Sequence, residues 1–80
     1  MSLEKIAENS LSDKEKMEII KNEKPVIGER IVTKKQAHLI GEQYDGKTVT
    51  SVTFVTNNQV LGNITVYLYD GKVIGKGLRD

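Results

Sequence analysis

Ile64-Thr65-Val66-Tyr67-Leu68-Tyr69-Asp70-Gly71-Lys72-Val73-Ile74-Gly75-Lys76-Gly77-Leu78 is the stretch on which the fold turns. Residues 64–69 alternate between apolar and mixed positions, and Asp70-Gly71 is the dipeptide favoured in two-residue type I′ turns. A two-residue loop fixes the register: Tyr69 opposite Lys72, Leu68 opposite Val73, Tyr67 opposite Ile74, Val66 opposite Gly75 and Thr65 opposite Lys76. One face then carries Ile64, Val66 and Leu68 with Val73, Gly75 and Gly77. The other carries Thr65, Tyr67 and Tyr69 with Lys72, Ile74 and Lys76. Two lysines mark the second face as the wet one, because charged ends are seldom buried unpaired. The first face is the expected core, and Gly75 and Gly77 leave room there for a helix.

Upstream of the hairpin, residues 48–56 hold Thr or Val at seven of nine positions. That composition loses side-chain freedom in a helix and fits a pleated strand. Asn57-Asn58 begins a loop and Asp45-Gly46 a turn. Gln59-Val60-Leu61-Gly62 is similar in outline to the Gln-x-Val-x-Gly loop of cystatins, but the count puts Leu61 and Asn63 at the motif's valine and glycine. Residues 26–33 read as a strand in which Gly28 suggests a bulge or a close backbone approach. Thr33-Lys34-Lys35-Gln36 has the form of a capping box, opening a short helix over residues 34–43 with Ala37, Leu39 and Ile40 as its apolar residues and Gly41 as a stop.

Composition changes near Pro25: before it stand Lys, Glu, Ile, Leu and Met at helical spacing. Ser12-Asp13-Lys14-Glu15 is a second capping box, although Lys16 occupies the position where an apolar staple would sit. Met17 and Ile20, with Ile19, form an apolar stripe expected to dock beside Gly75 and Gly77, and Lys24-Pro25 ends the helix. Leu3, Ile6, Ala7 and Leu11 make a shorter helical stripe, expected to fray over residues 1–11. The predicted architecture is α+β: one or two N-terminal helices, a short helix after the first strand, and an antiparallel sheet of three or four strands ending in a β-hairpin.

With 80 residues the chain makes one domain, and such a domain buries only about 60–65% of its unfolded surface, so a deep substrate cavity is not expected. There is no cysteine and one histidine, His38, which leaves no disulfide framework and no metal-ligating cluster. No spacing of Ser, His, Asp or Glu matches a triad, and Gly71-x-x-x-Gly75-x-Gly77 lacks the following helix of a phosphate loop. We therefore expect a protein that is not an enzyme and carries no cofactor. The N-terminal segment has no apolar run of signal-peptide or membrane-span length, so a cytoplasmic protein without a membrane partner is expected. Twelve basic and eleven acidic side chains give a formal charge of +1, which supplies no large field for nucleic acid.

A segment spanning residues 11–78 resembles the phage uracil-DNA glycosylase inhibitors. Leu11-Ser12-Asp13 opens similarly, Val26-Ile27-Gly28-Glu29-Arg30-Ile31 looks like that family's first strand with its Glu-Ser-Ile motif, and Leu39-Ile40-Gly41 looks like its second helix. In that family the motif's glutamate and serine imitate DNA contacts, and apolar residues of helix and sheet receive a leucine from the enzyme. Glu29 and Ile31 match the motif, and Arg30 stands where the serine would be. The family is strongly acidic and has one strand more, whereas this chain has Lys34 and Lys35 where the family's second helix opens with acids.

The expected function is that of a small protein-binding module, of the kind phages and mobile elements use to inhibit a host enzyme such as a DNA-repair glycosylase. Its candidate partner-binding residues are Tyr67, Tyr69, Lys72, Ile74 and Lys76 on the hairpin, and Glu29 and Ile31 on the first strand. The alternative is a weak nucleic-acid binder, either stacking bases on Tyr67 and Tyr69 or reading DNA as a winged helix. The winged-helix form would need a recognition helix at residues 48–56, which prefer strand and carry no base-reading Arg, Lys, Asn or Gln.

Overall fold

The computed structural model describes residues 2–20, 22–57 and 62–77. Residues 59–61, the first three of the cystatin-like segment, and Leu78 lie outside them. The order is α1 (Leu3–Asn9), α2 (Asp13–Glu18), β1 (Val26–Ile31), α3 (Lys34–Ile40), a 3-10 turn (Glu42–Tyr44), β2 (Thr48–Phe54), β3 (Ile64–Tyr69) and β4 (Lys72–Gly77). All four strands form one antiparallel sheet in the order β1-β2-β3-β4, which makes the chain α+β, ending in a hairpin.

Local chemistry accounts for the element boundaries. Ser12 accepts the Glu15 N–H at 3.2 Å while the Glu15 carboxylate accepts the Ser12 N–H at 2.8 Å, and Thr33 and Gln36 exchange the equivalent pair at 3.2 and 3.1 Å. Both boxes satisfy amides that a helix start would otherwise leave orphaned. Gly41, at φ 134°, ends α3. Asp70 and Gly71 take φ values of 53° and 76°, the two left-handed residues a type I′ turn needs, so Tyr69 pairs with Lys72 and Leu68 with Val73.

Beyond that point the register departs from the simple alternation. Tyr67 pairs with Gly75, Val66 with Lys76 and Thr65 with Gly77, because a bulge falls opposite Tyr67 and Leu68. One extra residue in β4, Ile74, reverses the facing of everything after it. Gly75 and Gly77 move to the tyrosine face, and Lys76 moves to the face of Val66. No register shift interrupts β1 against β2, so Gly28 marks no bulge.

Both faces of the sheet are covered, which corrects the expectation of one dry and one wet face. On the first, Ala7 and Leu11 pack against Val52, Phe54, Ile64, Val66 and Leu68, with Ile6 and Ile19 at the margin. On the second, Val32, Ala37, Val49 and Tyr67 form another cluster, joined by Ile40, Tyr44, Tyr69 and Ile74. The helix docked on the first face is α1 rather than α2. α2 ends at Glu18, after which the Ile20 N–H donates to the Val55 carbonyl and the Asn57 N–H to the Glu18 carbonyl, each at 2.9 Å. Ile19 and Ile20 thereby leave the helix to extend the sheet's end, and Met17 stays 82% exposed.

Gly75 does give a helix room to approach, but that helix is α3: a Cβ added at Gly75 would stand 2.5 Å from Cγ2 of Ile40 and 3.2 Å from its Cβ. Ile40 is β-branched and cannot swing aside cheaply. Gly75→Ala should therefore destabilise the protein by about 1–3 kcal/mol through overpacking. Ile40→Ala in the same chain should recover part of that loss, giving a coupling of about 1 kcal/mol in a double-mutant cycle. Strictly additive losses in denaturant titrations would contradict the contact.

Candidate partner-binding surfaces

The hairpin residues proposed from sequence separate onto different surfaces. Tyr67 is only 8% exposed, lying between β2 and α3, so it offers no open face for stacking. Tyr69 is half-buried, with the Tyr44 ring edge-on at 5.4 Å and the Lys47 ammonium 5.8 Å from its ring centroid. Ile74 packs into the same cluster. Lys72 is exposed beside the turn. Lys76 points to the opposite side, where its ammonium meets Oε1 of Glu15 at 2.6 Å. The alternating polar-looking pattern concealed this because Tyr and Thr side chains are buried readily once α3 supplies a roof.

Glu29 and Ile31 both lie on β1. β1 is the terminal strand, Glu29 is exposed and Ile31 is 65% exposed. Ile27, on the same face, is 47% exposed, and Val26, on the other, 64%. This baring follows from the placement of the helices, since α1 packs across β2, β3 and β4.

Between α3 and the sheet lies a cavity of about 160 Å³. Val32, Ile40, Val49 and Tyr67 supply apolar wall and floor, Gln36 and the β4 segment Lys76-Gly77 complete the lining, and Leu39 lines it while remaining 82% exposed. Of these, Val32, Leu39, Ile40 and Val49 were not singled out for binding from sequence. A partial signal was available: the capping box at Thr33 fixes the helix phase, turning Ala37 and Ile40 inward and Leu39 out. A larger open concavity of about 560 Å³ lies between α1, the end of α2 and Phe54, and its lining balances Glu4, Glu8 and Glu23 against Lys5, Lys16 and Lys24.

His38 is exposed in the last turn of α3, with Nδ1 3.8 Å from the Glu42 carboxylate. Among the described residues no three His, Asp or Glu side chains converge as a metal site would require, and no helix is long and apolar enough to cross a membrane. The segment proposed for a winged-helix reader is β2, paired on both sides. No known protein family, curated protein or solved structure matches the chain.

The Lys76 hydrogen bond, followed by the Ser12 amide, holds the Glu15 carboxyl below its ordinary value of 4.5. A lowered folded value stabilises the fold fully above the unfolded value, and that contribution is lost as pH falls through the folded one. Glu15→Gln, which keeps a capping-box side chain but removes the charge, should cost under about 1 kcal/mol at neutral pH and flatten the acid limb of stability below pH 4.5. Glu15→Ala should cost more, about 1–2 kcal/mol, because the cap goes too. Equal acid limbs in the parent and Glu15→Gln would show that the ion pair contributes nothing.

Proposed function

We propose that this chain is a small non-enzymatic protein-binding module, which seats one aliphatic side chain of its partner in the cavity between α3 and the sheet. The observation that carries this reading is the cavity itself. About 160 Å³ is too small for the sites of about 300–1,000 Å³ that hold whole small molecules. It is close to the roughly 150 Å³ apolar cavity that accepts benzene, and so fits one leucine-sized group. Exposed Leu39 at its margin adds apolar area that a partner would cover.

The resemblance to uracil-DNA glycosylase inhibitors supports the same arrangement, since that family receives an enzyme leucine between helix and sheet and presents a first-strand glutamate. A host DNA-repair glycosylase is the target we put forward. With a formal charge of +1 and Arg30, Lys34 and Lys35 near the motif, binding here depends on apolar seating rather than on a DNA-like negative field. A nucleic-acid partner would need an open stacking platform, and buried Tyr67 does not provide one.

Leu39→Glu places a charge at the cavity margin on a side chain whose exposure spares the core. It should leave the unfolding midpoint nearly unchanged and weaken partner binding by about tenfold or more, equivalent to about 1.4 kcal/mol, whereas Leu39→Met should bind like the parent. The parent should inhibit uracil excision by a bacterial glycosylase, with Leu39→Glu inhibiting far less. No inhibition at large molar excess would eliminate that target. Partner capture from lysate that is unaffected by Leu39→Glu but abolished by nuclease would replace the protein-binding reading with the nucleic-acid one.

A further inference from the structure

We infer that the outer edge of β1 accepts an extended segment of another protein as a fifth strand, and that it selects a basic residue flanked at alternate positions by aliphatic ones. This surface is distinct from the cavity, and the inference does not rest on the cavity's role. The Val32 N–H donates to the Lys47 carbonyl and the Gly46 N–H to the Val32 carbonyl, each at 2.9 Å, so residue 32 directs its backbone toward β2. The β1–β2 register is unbroken from Val26 opposite Thr53 to Ile31 opposite Thr48. Alternation along an antiparallel ladder then turns the N–H and C=O groups of Ile27, Glu29 and Ile31 away from β2, toward the open edge.

The same three residues share one face of the sheet, with Ile27 47% and Ile31 65% exposed on either side of exposed Glu29. Native edge strands are usually blunted by proline, a bulge or a charge. Here Pro25 precedes the strand and no bulge interrupts it, so the charged residues carry that protection.

A second copy is a poor occupant. Two-fold antiparallel pairing that engages all three outward residues sets Ile27 against Ile31 of the other copy and Glu29 against Glu29, two carboxylates facing each other. Sliding by one step brings in Pro25, which has no N–H to donate, and sliding the other way sets Arg30 against Arg30. The charge that disfavours self-pairing is complementary to a Lys or Arg on a partner strand, and the flanking isoleucines complement aliphatic side chains two residues away on each side.

The test uses the full-length protein and two synthetic peptides, acetyl-Thr-Val-Thr-Lys-Thr-Val-Thr-amide and the same peptide with Glu in place of Lys. The lysine peptide should slow amide exchange at Ile27, Glu29 and Ile31 and bind about tenfold more tightly than the glutamate peptide. Glu29→Lys should reverse that preference without shifting the unfolding midpoint. Equal binding of the two peptides, an unchanged preference in Glu29→Lys, perturbation at Leu39 and Tyr67 instead of β1, or no binding at millimolar peptide would each overturn the inference.

Discussion

Strand β3 is buried on both faces from Ile64 to Leu68, and the rest of the structure is arranged to make that possible. Its apolar face needs α1, whose Ala7, with Leu11 just beyond the helix, reaches Val66 and Leu68. Its other face carries Thr65 and Tyr67, whose polar atoms need partners before they can leave water. Thr65 meets the Thr53 hydroxyl at 3.1 Å, and Tyr67 is roofed by α3. A domain this short has few ways to bury enough surface, and a doubly covered strand is an economical one. Helices placed on opposite sides of one strand follow from that need.

The bulge at Ile74 reconciles the two faces on β4. Without it Lys76 would lie on the α3 side, against the apolar cluster of Ala37, Val49 and Tyr67, and Gly75 would lie under α1. With it, glycine meets Ile40 where space is short, and the lysine finds Glu15 where a carboxylate is already fixed by its capping box. One inserted residue thus serves packing on one side and electrostatics on the other. Glu15 couples the two scales, because the same carboxylate oxygen accepts from the Ser12 amide and from Lys76.

Features governed by neighbours in sequence were legible: the Asp70-Gly71 turn, both capping boxes, the stop at Gly41 and the strand character of β2. So was the α+β class. What was not legible depends on contacts between distant segments. Nothing local to Val73-Ile74-Gly75 announces a bulge, since the fit of Ile40 and Glu15 against β4 is decided by elements more than thirty residues away. Ile19 and Ile20 have good helical spacing, yet hydrogen bonds to the segment around Thr56 draw them out of the helix. Tyr67 was read as exposed because period-two alternation assigns faces without saying how many faces are covered. The cavity is a space between α3 and the sheet, and no single stretch of sequence encodes a space.

Cover is distributed unevenly across the sheet, and that unevenness separates stability from recognition. β4 is gripped from one side by Ile40 and from the other by Glu15, so its substitution disturbs the fold. β1 is held by its ladder to β2 but keeps Val26, Ile27, Glu29 and Ile31 in water. Aliphatic side chains left bare on an unpaired edge cost solubility unless something restrains association. A carboxylate between two isoleucines does this with little loss of apolar area, because it penalises only the pairing in which it meets another carboxylate. Discrimination then comes from the sign of the charge opposite Glu29, while the isoleucines contribute area to any strand that satisfies it.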